Sequence, residues 1–318
     1  MPQLNIYPEA GMGGETVVGS DDVSHHVMSQ ESFVNGEKSE DSDVPSYQLG
    51  LSAQELNDPA KIVVTIADKQ TPVVVLFGSP SCGKTMTLVR LTRYLHSLGY
   101  TVDPVRSFRP AFDSHYAEMC DTFSRTVNSD EAAESTRFMN FMLVIVRKDG
   151  RPVCQILEAP GEYYFNPKNP GMQFPPYVQA IISATNRKIW GIMLEPDWMN
   201  ASDRANYVDR IRMVNRNRRS YDRAIFIYNK IDRLPGLTMG TGRVNSKYAM
   251  KDIMDNYVGL FDIFRNAHPI TRWWRKYDCD FVPFQTGTYH EAADKTLMFQ
   301  AGPDEYPAML WQKIMAYL

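Results

Sequence analysis

Between residues 70 and 290 the hydrophobic positions fall into short unbroken runs that alternate with segments of helical spacing. Val73–Phe77, bounded by Pro72 and Gly78, is a run of β-branched and large apolar residues, the pattern of a strand buried on both faces. From 84 to 97 apolar residues recur at Met86, Leu88, Val89, Leu91 and Leu95, and Gly99 follows as a C-cap, which predicts a helix. Residues 100–105 read as a further short strand, and 112–127 as a helix with Phe112, Tyr116, Met119 and Phe123 on one side. Two apolar runs within 141–159 are joined at Lys148, Asp149 and Gly150, a hairpin signal, and the second run ends at Pro160-Gly161. Three more strand candidates, 188–196, 223–232 and 280–287, are separated by helical stretches at 200–217, 245–266 and 304–318. Strands alternating with helices predict a mostly parallel sheet covered on both faces.

Ahead of the first strand, Ser52-Ala53-Gln54-Glu55 has the capping-box pattern, and Asp58-Pro59 predicts a helix running through 60–68 and packing onto the domain. Before about Val44 no period is sustained. Residues 1–60 hold 11 acidic residues and one Lys, a charge of −10, so the remainder carries +7 of the overall −3. Residues 1–50 therefore read as an acidic, flexible leader and 51–318 as one domain with an insertion near 100–135. With 43% hydrophobic and 22% charged residues over 318 positions, the body can form an ordinary packed core. No stretch approaches the roughly 18–20 apolar residues of a membrane-spanning helix, and the N-terminus lacks a signal-peptide pattern, so a cytoplasmic location is expected. Cys82, Cys120, Cys154 and Cys279 are scattered, which argues against a disulfide framework or a zinc site.

The segment Gly78-Ser79-Pro80-Ser81-Cys82-Gly83-Lys84-Thr85 lies between the predicted strand and helix and fits GxxxxGK[ST]. Glycines let backbone N–H groups turn inward on phosphates, and the helix N-terminus adds its positive dipole. Lys84 supplies a mobile positive charge, the Thr85 hydroxyl is a Mg²⁺ ligand candidate, and Met86, in the first turn of the predicted helix, is a further nucleotide-binding candidate. Asn229-Lys230-Ile231-Asp232 closes the apolar run Ala224–Tyr228 and so sits at the carboxyl end of a strand, where ligands bind in open α/β sheets.

These residues resemble the phosphate loop and the base-recognition NKxD motif of P-loop GTPases. The resemblance implies that Asp232 accepts hydrogen bonds from guanine, that Asn229 contacts the base edge, and that the Lys230 stem lies over the ring. Leu157–Glu162 looks like the DxxG element that senses the γ-phosphate, with Gly161 as the sensing glycine, Glu158 replacing the usual Asp as a Mg²⁺ ligand, and Glu162 where Ras-like proteins carry the water-positioning glutamine. Thr136 is the candidate second Mg²⁺ ligand, with Thr126 as the alternative. Arg109, Arg125 and Arg137 are candidate arginine fingers, and Gln285, Thr286 and Gly287 fit the strand end that meets guanine O6. In order, these elements imply a Ras-like, translation-factor-related G domain: a P-loop three-layer α/β sandwich, mostly parallel, with one antiparallel hairpin strand. The insert before the hairpin, Pro160-Gly161-Glu162 and the strand ending in Glu195-Pro196-Asp197 are similar to bacterial double-GTPase proteins, which implies a protein effector or a companion GTPase.

The expected activity is GTP hydrolysis to GDP and phosphate with Mg²⁺, as a molecular switch. The Glu158 and Glu162 replacements leave open a GTP-binding scaffold or sensor, and a P-loop ATPase or kinase would require Asn229–Asp232 to be accidental. The arginines of 210–223 read as a solvated helix end in preference to a phosphate surface, nucleic acid is not an expected partner, and Trp273-Trp274 reads as core or cover.

Overall fold

The computed structural model describes residues 51–318 apart from 129–140, 197–199, 235–245, 274–275 and 292–296. The chain divides into Met1–Asp43 and Val44–Leu318, and every described residue belongs to the second unit. The acidic leader, Thr136 and Arg137 lie outside the described residues.

Five consecutive apolar residues leave no face for water, and Val73–Phe77 (β1) is buried along its whole length at the centre of a seven-stranded sheet. Tyr100–Pro104 (β2), Met142–Lys148 (β3) and Arg151–Glu158 (β4) lie on one side of it, and Lys188–Leu194 (β5), Arg223–Tyr228 (β6) and Asp280–Pro283 (β7) on the other, in the order β2-β3-β4-β1-β5-β6-β7. β1 pairs in parallel with β4, Leu76 opposite Glu158, and with β5, Phe77 opposite Ile192. β3 is antiparallel to both β2 and β4, so one strand of the hairpin runs against an otherwise parallel sheet. The hairpin turns through Asp149 and Gly150 at φ of 50° and 76°, a pair of left-handed residues suited to a two-residue connection.

Helix α1 (Ala53–Asn57) starts at Ser52 with the expected capping box. Lys84–Ser97 (α2), Ser114–Val127 (α3), Pro176–Ser183 (α5), Ala201–Arg216 (α6) and Glu305–Met315 (α9) cover the sheet; Gly161–Tyr164 (α4), Ser246–Asn256 (α7) and Leu260–Ile263 (α8) complete the set. α2 packs with α3 and α9, and α6 packs with α8. Tyr207 of α6 stacks on Phe77 at 6.1 Å, and Phe226 of β6 meets Phe261 of α8 edge-on at 5.6 Å. Because neighbouring residues of β1 and β5 point to opposite faces and all are buried, both faces are covered, and the fold is a three-layer α/β sandwich.

Several expectations are corrected. The helix predicted through 60–68 is a single 3₁₀ turn, Pro59–Lys61, after which Ile62 is extended and no helix continues. Ile62, Val64 and Ile66 turn inward and Val63, Thr65 and Ala67 outward, so the β-branched run follows a period of two, and Thr65 N–H donates to the Phe108 carbonyl at 2.8 Å. Phe112 precedes the N-cap Asp113 of α3 and is 90% exposed, so it does not join Tyr116, Met119 and Phe123 in the core. The helix expected over 245–266 is interrupted at Gly259 (φ 80°). Trp273 is 82% exposed, in a loop whose neck is closed by the Arg265–Tyr277 bridge, and does not serve as core. A second hairpin, Gly287–Glu291 (β8) with Leu297–Ala301 (β9), has no counterpart in the sequence reading.

Several arginines of 210–223 are partnered within the fold, while Arg216 is exposed at the end of α6 as the sequence suggests. Arg210 is buried over the Phe174 ring and donates to the Tyr164 and Met172 carbonyls, Arg218 pairs with Asp278, and Arg219 donates to the Ser183 and Thr185 carbonyls. Arg109 is buried by Glu55 of α1 at 2.6 Å, Asp113 at 2.8 Å and the Val63 carbonyl at 2.8 Å, so it ties the 51–66 segment to the start of α3. Replacing it with Leu leaves two carboxylates short of their counter-charge. The expected loss is about 2–3 kcal/mol in urea unfolding, below the fully buried range because both acids keep some contact with water, whereas exposed Arg125→Ala should change stability by less than about 0.5 kcal/mol.

Candidate functional site

Parallel pairing of β4, β1, β5, β6 and β7 brings their carboxyl ends to one rim of the sheet, and the chemistry-bearing residues stand there. Gly78 leaves β1, Glu158 ends β4, Glu195 follows β5, Asn229 follows β6, and Gln285–Gly287 follow β7. The loop 78–83 opens α2, whose first turn has no side-chain cap, so its N–H groups face the loop unpaired by a capping side chain. Gly83 takes φ 88° at the N-cap, and a Cβ there would stand 2.3 Å from Asn229 Nδ2.

Lys84 is buried at 6% exposure, and its ammonium donates to the Ser79 carbonyl at 2.8 Å and the Gly78 carbonyl at 3.3 Å, with Cys82 Sγ at 3.9 Å. Thr85 donates its hydroxyl to Glu158 Oε1. Burial pushes the Glu158 carboxyl up to about 8, against the opposing pull of the Thr85 hydrogen bond and the Lys84 charge. Its Oε2 has no hydrogen-bond partner among the described residues. Burial likewise raises the Cys82 thiol.

Asn229 Nδ2 donates to the Cys82 carbonyl at 2.9 Å, and Lys230 Nζ to the Ser81 carbonyl at 2.9 Å. Lys230 has a left-handed backbone (φ 56°) and also pairs with Glu195 Oε2. Asp232 lies exposed in the 3₁₀ turn Ile231–Arg233. Phe284 N–H donates to the Tyr228 carbonyl at 2.7 Å, which fixes the end of β7 beside that of β6. Gly302 N–H donates to the Thr286 carbonyl at 3.2 Å, and Arg90 of α2 donates to the Gly302 carbonyl at 2.7 Å, so Thr286 and Gly287 are tied to the helix that starts at Lys84.

The Pro160–Glu162 turn meets the same loop. A Cβ on Gly161 would lie 2.3 Å from both Ser79 C and Pro80 N, so this backbone approach admits only glycine. Glu162 is exposed in the first turn of α4.

No family model matches the chain, and no curated protein does. Among solved structures it is similar to the Roco2 RocCORdC of Methanosarcina barkeri bound to GDP, at TM-score 0.31 and 10% identity over 80% of this chain and 51% of that one. It is also similar to GDP-bound aIF5B from Aeropyrum pernix (0.36, 14%, 78% and 36%) and to the S. cerevisiae Ski7 GTPase-like domain bound to GDP and inorganic phosphate (0.37, 12%, 74% and 45%). The chain spans about half or less of the length of each.

The structure thus brings Gly78–Thr85, Glu158, Gly161, Asn229 and Lys230 into one cluster and places Asp232, Thr286 and Gly287 on the adjoining strand ends. Met86 is half-buried in the first turn of α2. Thr126, the alternative to Thr136, is buried within α3. Glu195 also stands on this rim, a residue read from the sequence only as part of a strand. Its signal was a single acid ending the apolar strand Lys188–Leu194, immediately before Pro196. Buried oxygens without a hydrogen-bond partner among the described residues include Glu158 Oε2, Glu195 Oε1 and Asn229 Oδ1, on three strand ends of this rim. Gly161→Ala forces its new methyl against loop backbone and is expected to cost about 1–3 kcal/mol in urea unfolding. Gly171→Ala, with nothing within 4 Å of the new Cβ, should stay within about 0.5 kcal/mol.

Proposed function

We propose that the chain binds guanine nucleotide with Mg²⁺ and hydrolyses GTP to GDP and phosphate as a nucleotide-dependent switch. The observation that carries the reading is the joining of two motifs far apart in sequence: Asn229 and Lys230 donate to the carbonyls of Cys82 and Ser81, next to Lys84. A nucleotide is long enough to need both a phosphate cradle and a base pocket, and here they share one loop. Lys84, held by carbonyls, supplies the positive charge for the β- and γ-phosphates, and the first turn of α2 supplies N–H donors. Asp232 on its exposed turn accepts from guanine, and the carboxylate disfavours adenine, which presents an unprotonated N1.

The residues fit a magnesium ion. Thr85 Oγ1 and Glu158 would hold it, the unpartnered Glu158 Oε2 being a hard oxygen ligand that desolvation leaves unsatisfied. When bound, the ion neutralises charge developing on the phosphates. Gly161, pressed on Ser79 and Pro80, senses the terminal phosphate with its backbone, and α4 transmits the change through the 164–174 segment that Arg210 grips. Glu162 would orient the attacking water, and Thr136 is the proposed second metal ligand. A protein effector or companion GTPase would read the switch, in line with the narrower likeness to double-GTPase proteins.

A second reading, binding with little turnover, is favoured by the exposure of Glu162 and by Glu158 standing one methylene longer than Asp. Calorimetry with Mg²⁺ is expected to show GDP and GTP preferred over ATP, and equal affinity for ATP sinks the proposal. Asp232→Asn should move preference to xanthine nucleotides. Single-turnover phosphate release that vanishes in Lys84→Ala supports hydrolysis, whereas tight GTP binding without release supports the scaffold.

A further inference from the structure

Glu195 is a carboxylate taken out of water at 5% exposure, just past the end of a strand whose residues are all buried. Such a group is costly. Replacing a buried ion pair with apolar residues is often neutral or stabilising, so packing alone gives no reason for a charge here. Its surroundings are specific. Oε2 pairs with Lys230 Nζ, and the Tyr257 hydroxyl bonds the Glu195 backbone on both sides, donating to its carbonyl at 2.8 Å and accepting from its N–H at 3.2 Å. Tyr257 is itself buried and its N–H is held by the Ile253 carbonyl at 2.8 Å, so Glu195 is fixed from α7 while its carboxylate reaches the rim. Lys230 adopts the left-handed conformation that non-glycine residues avoid at a cost of about 1–2 kcal/mol. Its ammonium is shared between Glu195 and the Ser81 carbonyl.

We infer that Glu195 is a positioning residue for nucleotide binding: its carboxylate holds Lys230 in place, so that the base-recognition turn and the 78–85 loop are set as one unit before nucleotide arrives. The inference rests on the guanine-nucleotide reading above and adds to it a group outside both motifs. The chemistry is electrostatic. With no counter-charge, the Lys230 ammonium is free to swing to the phosphates that Lys84 and α2 already serve, and the ring loses the aliphatic stem that should cover it. With Glu195 present, the stem is stretched between two anchors, and little rotamer entropy is left to lose on binding.

The test is a double-mutant cycle on the full chain with two readouts. In the nucleotide-free protein, Glu195→Gln is expected to raise the rate at which an amine-acylating reagent modifies Lys230 by about fivefold, followed by peptide mass spectrometry with other lysines as internal controls. For GDP with Mg²⁺, Glu195→Gln should raise Kd on the order of tenfold, in the range of close charge pairs, with the thermal midpoint nearly unchanged. In a Lys230→Met background the same substitution should change Kd by less than about twofold, because the partner is gone. An equal loss of affinity in both backgrounds overturns the inference, as does an unchanged Lys230 labelling rate. A lowered thermal midpoint with unchanged Kd assigns Glu195 to structure alone and also overturns it. If the unaltered chain binds no guanine nucleotide, the functional reading falls separately, and the labelling rate still decides whether Glu195 positions Lys230.

Discussion

The parallel pairing of β1 with β4 on one side and β5 on the other is the constraint from which the rest of the molecule follows. Parallel neighbours end on the same side, so Gly78, Glu158 and Glu195 are delivered to one rim although they are far apart in sequence. The β6 and β7 pairings extend that rim to Asn229 and to Thr286 and Gly287. A β1 buried along both faces also gives the loop after it a rigid base, which a loop of small residues and one proline does not have on its own.

Buried charge is held in two ways. Arg210 and Arg109 are enclosed by acceptors, carbonyls and an aromatic face for the first, two carboxylates and a carbonyl for the second, and they tie segments together. At the rim, Lys84 is satisfied by carbonyls and a thiol, while Glu158, Glu195 and Asn229 each keep one oxygen without a hydrogen-bond partner among the described residues. An unpaired buried polar oxygen costs on the order of 1–3 kcal/mol. Three on neighbouring strand ends oppose folding unless something satisfies them; atoms such as Tyr177 Oη and Trp190 Nε1 also lack a described partner, but they are scattered through the core.

Much of the fold was legible because long-range topology repeats a local signal. Unbroken apolar runs marked β1, β5 and β6, and Asp149-Gly150 marked the hairpin turn. What escaped was governed by tertiary contact. The 62–66 run reads as a helix on composition after Asp58-Pro59, yet its β-branched residues alternate in and out because one side meets the core and Thr65 bonds Phe108. Phe112 looked like the start of an apolar helix face, but Asp113 caps α3 one residue later. At the site, Gly78–Thr85 and Asn229–Asp232 were readable as motifs because each is contiguous. Glu195 was not, since its meaning comes from Lys230 and Tyr257, both distant in sequence.

The central position of β1 also bears on how the chain is made. Its two partners begin at Arg151 and Lys188, so β1 at Val73 emerges 78 and 115 positions before them. At a synthesis rate of roughly 5–20 residues per second, the most apolar strand of the sheet waits on the order of 6–23 seconds for its second neighbour. The β3–β4 hairpin, closed by its own turn, forms within microseconds of its synthesis and offers β4 as the first template. Val73–Phe77 is therefore the segment through which a nascent chain would be held by a chaperone or lost to aggregation, and the same pairing that builds the rim sets the order in which the protein is born.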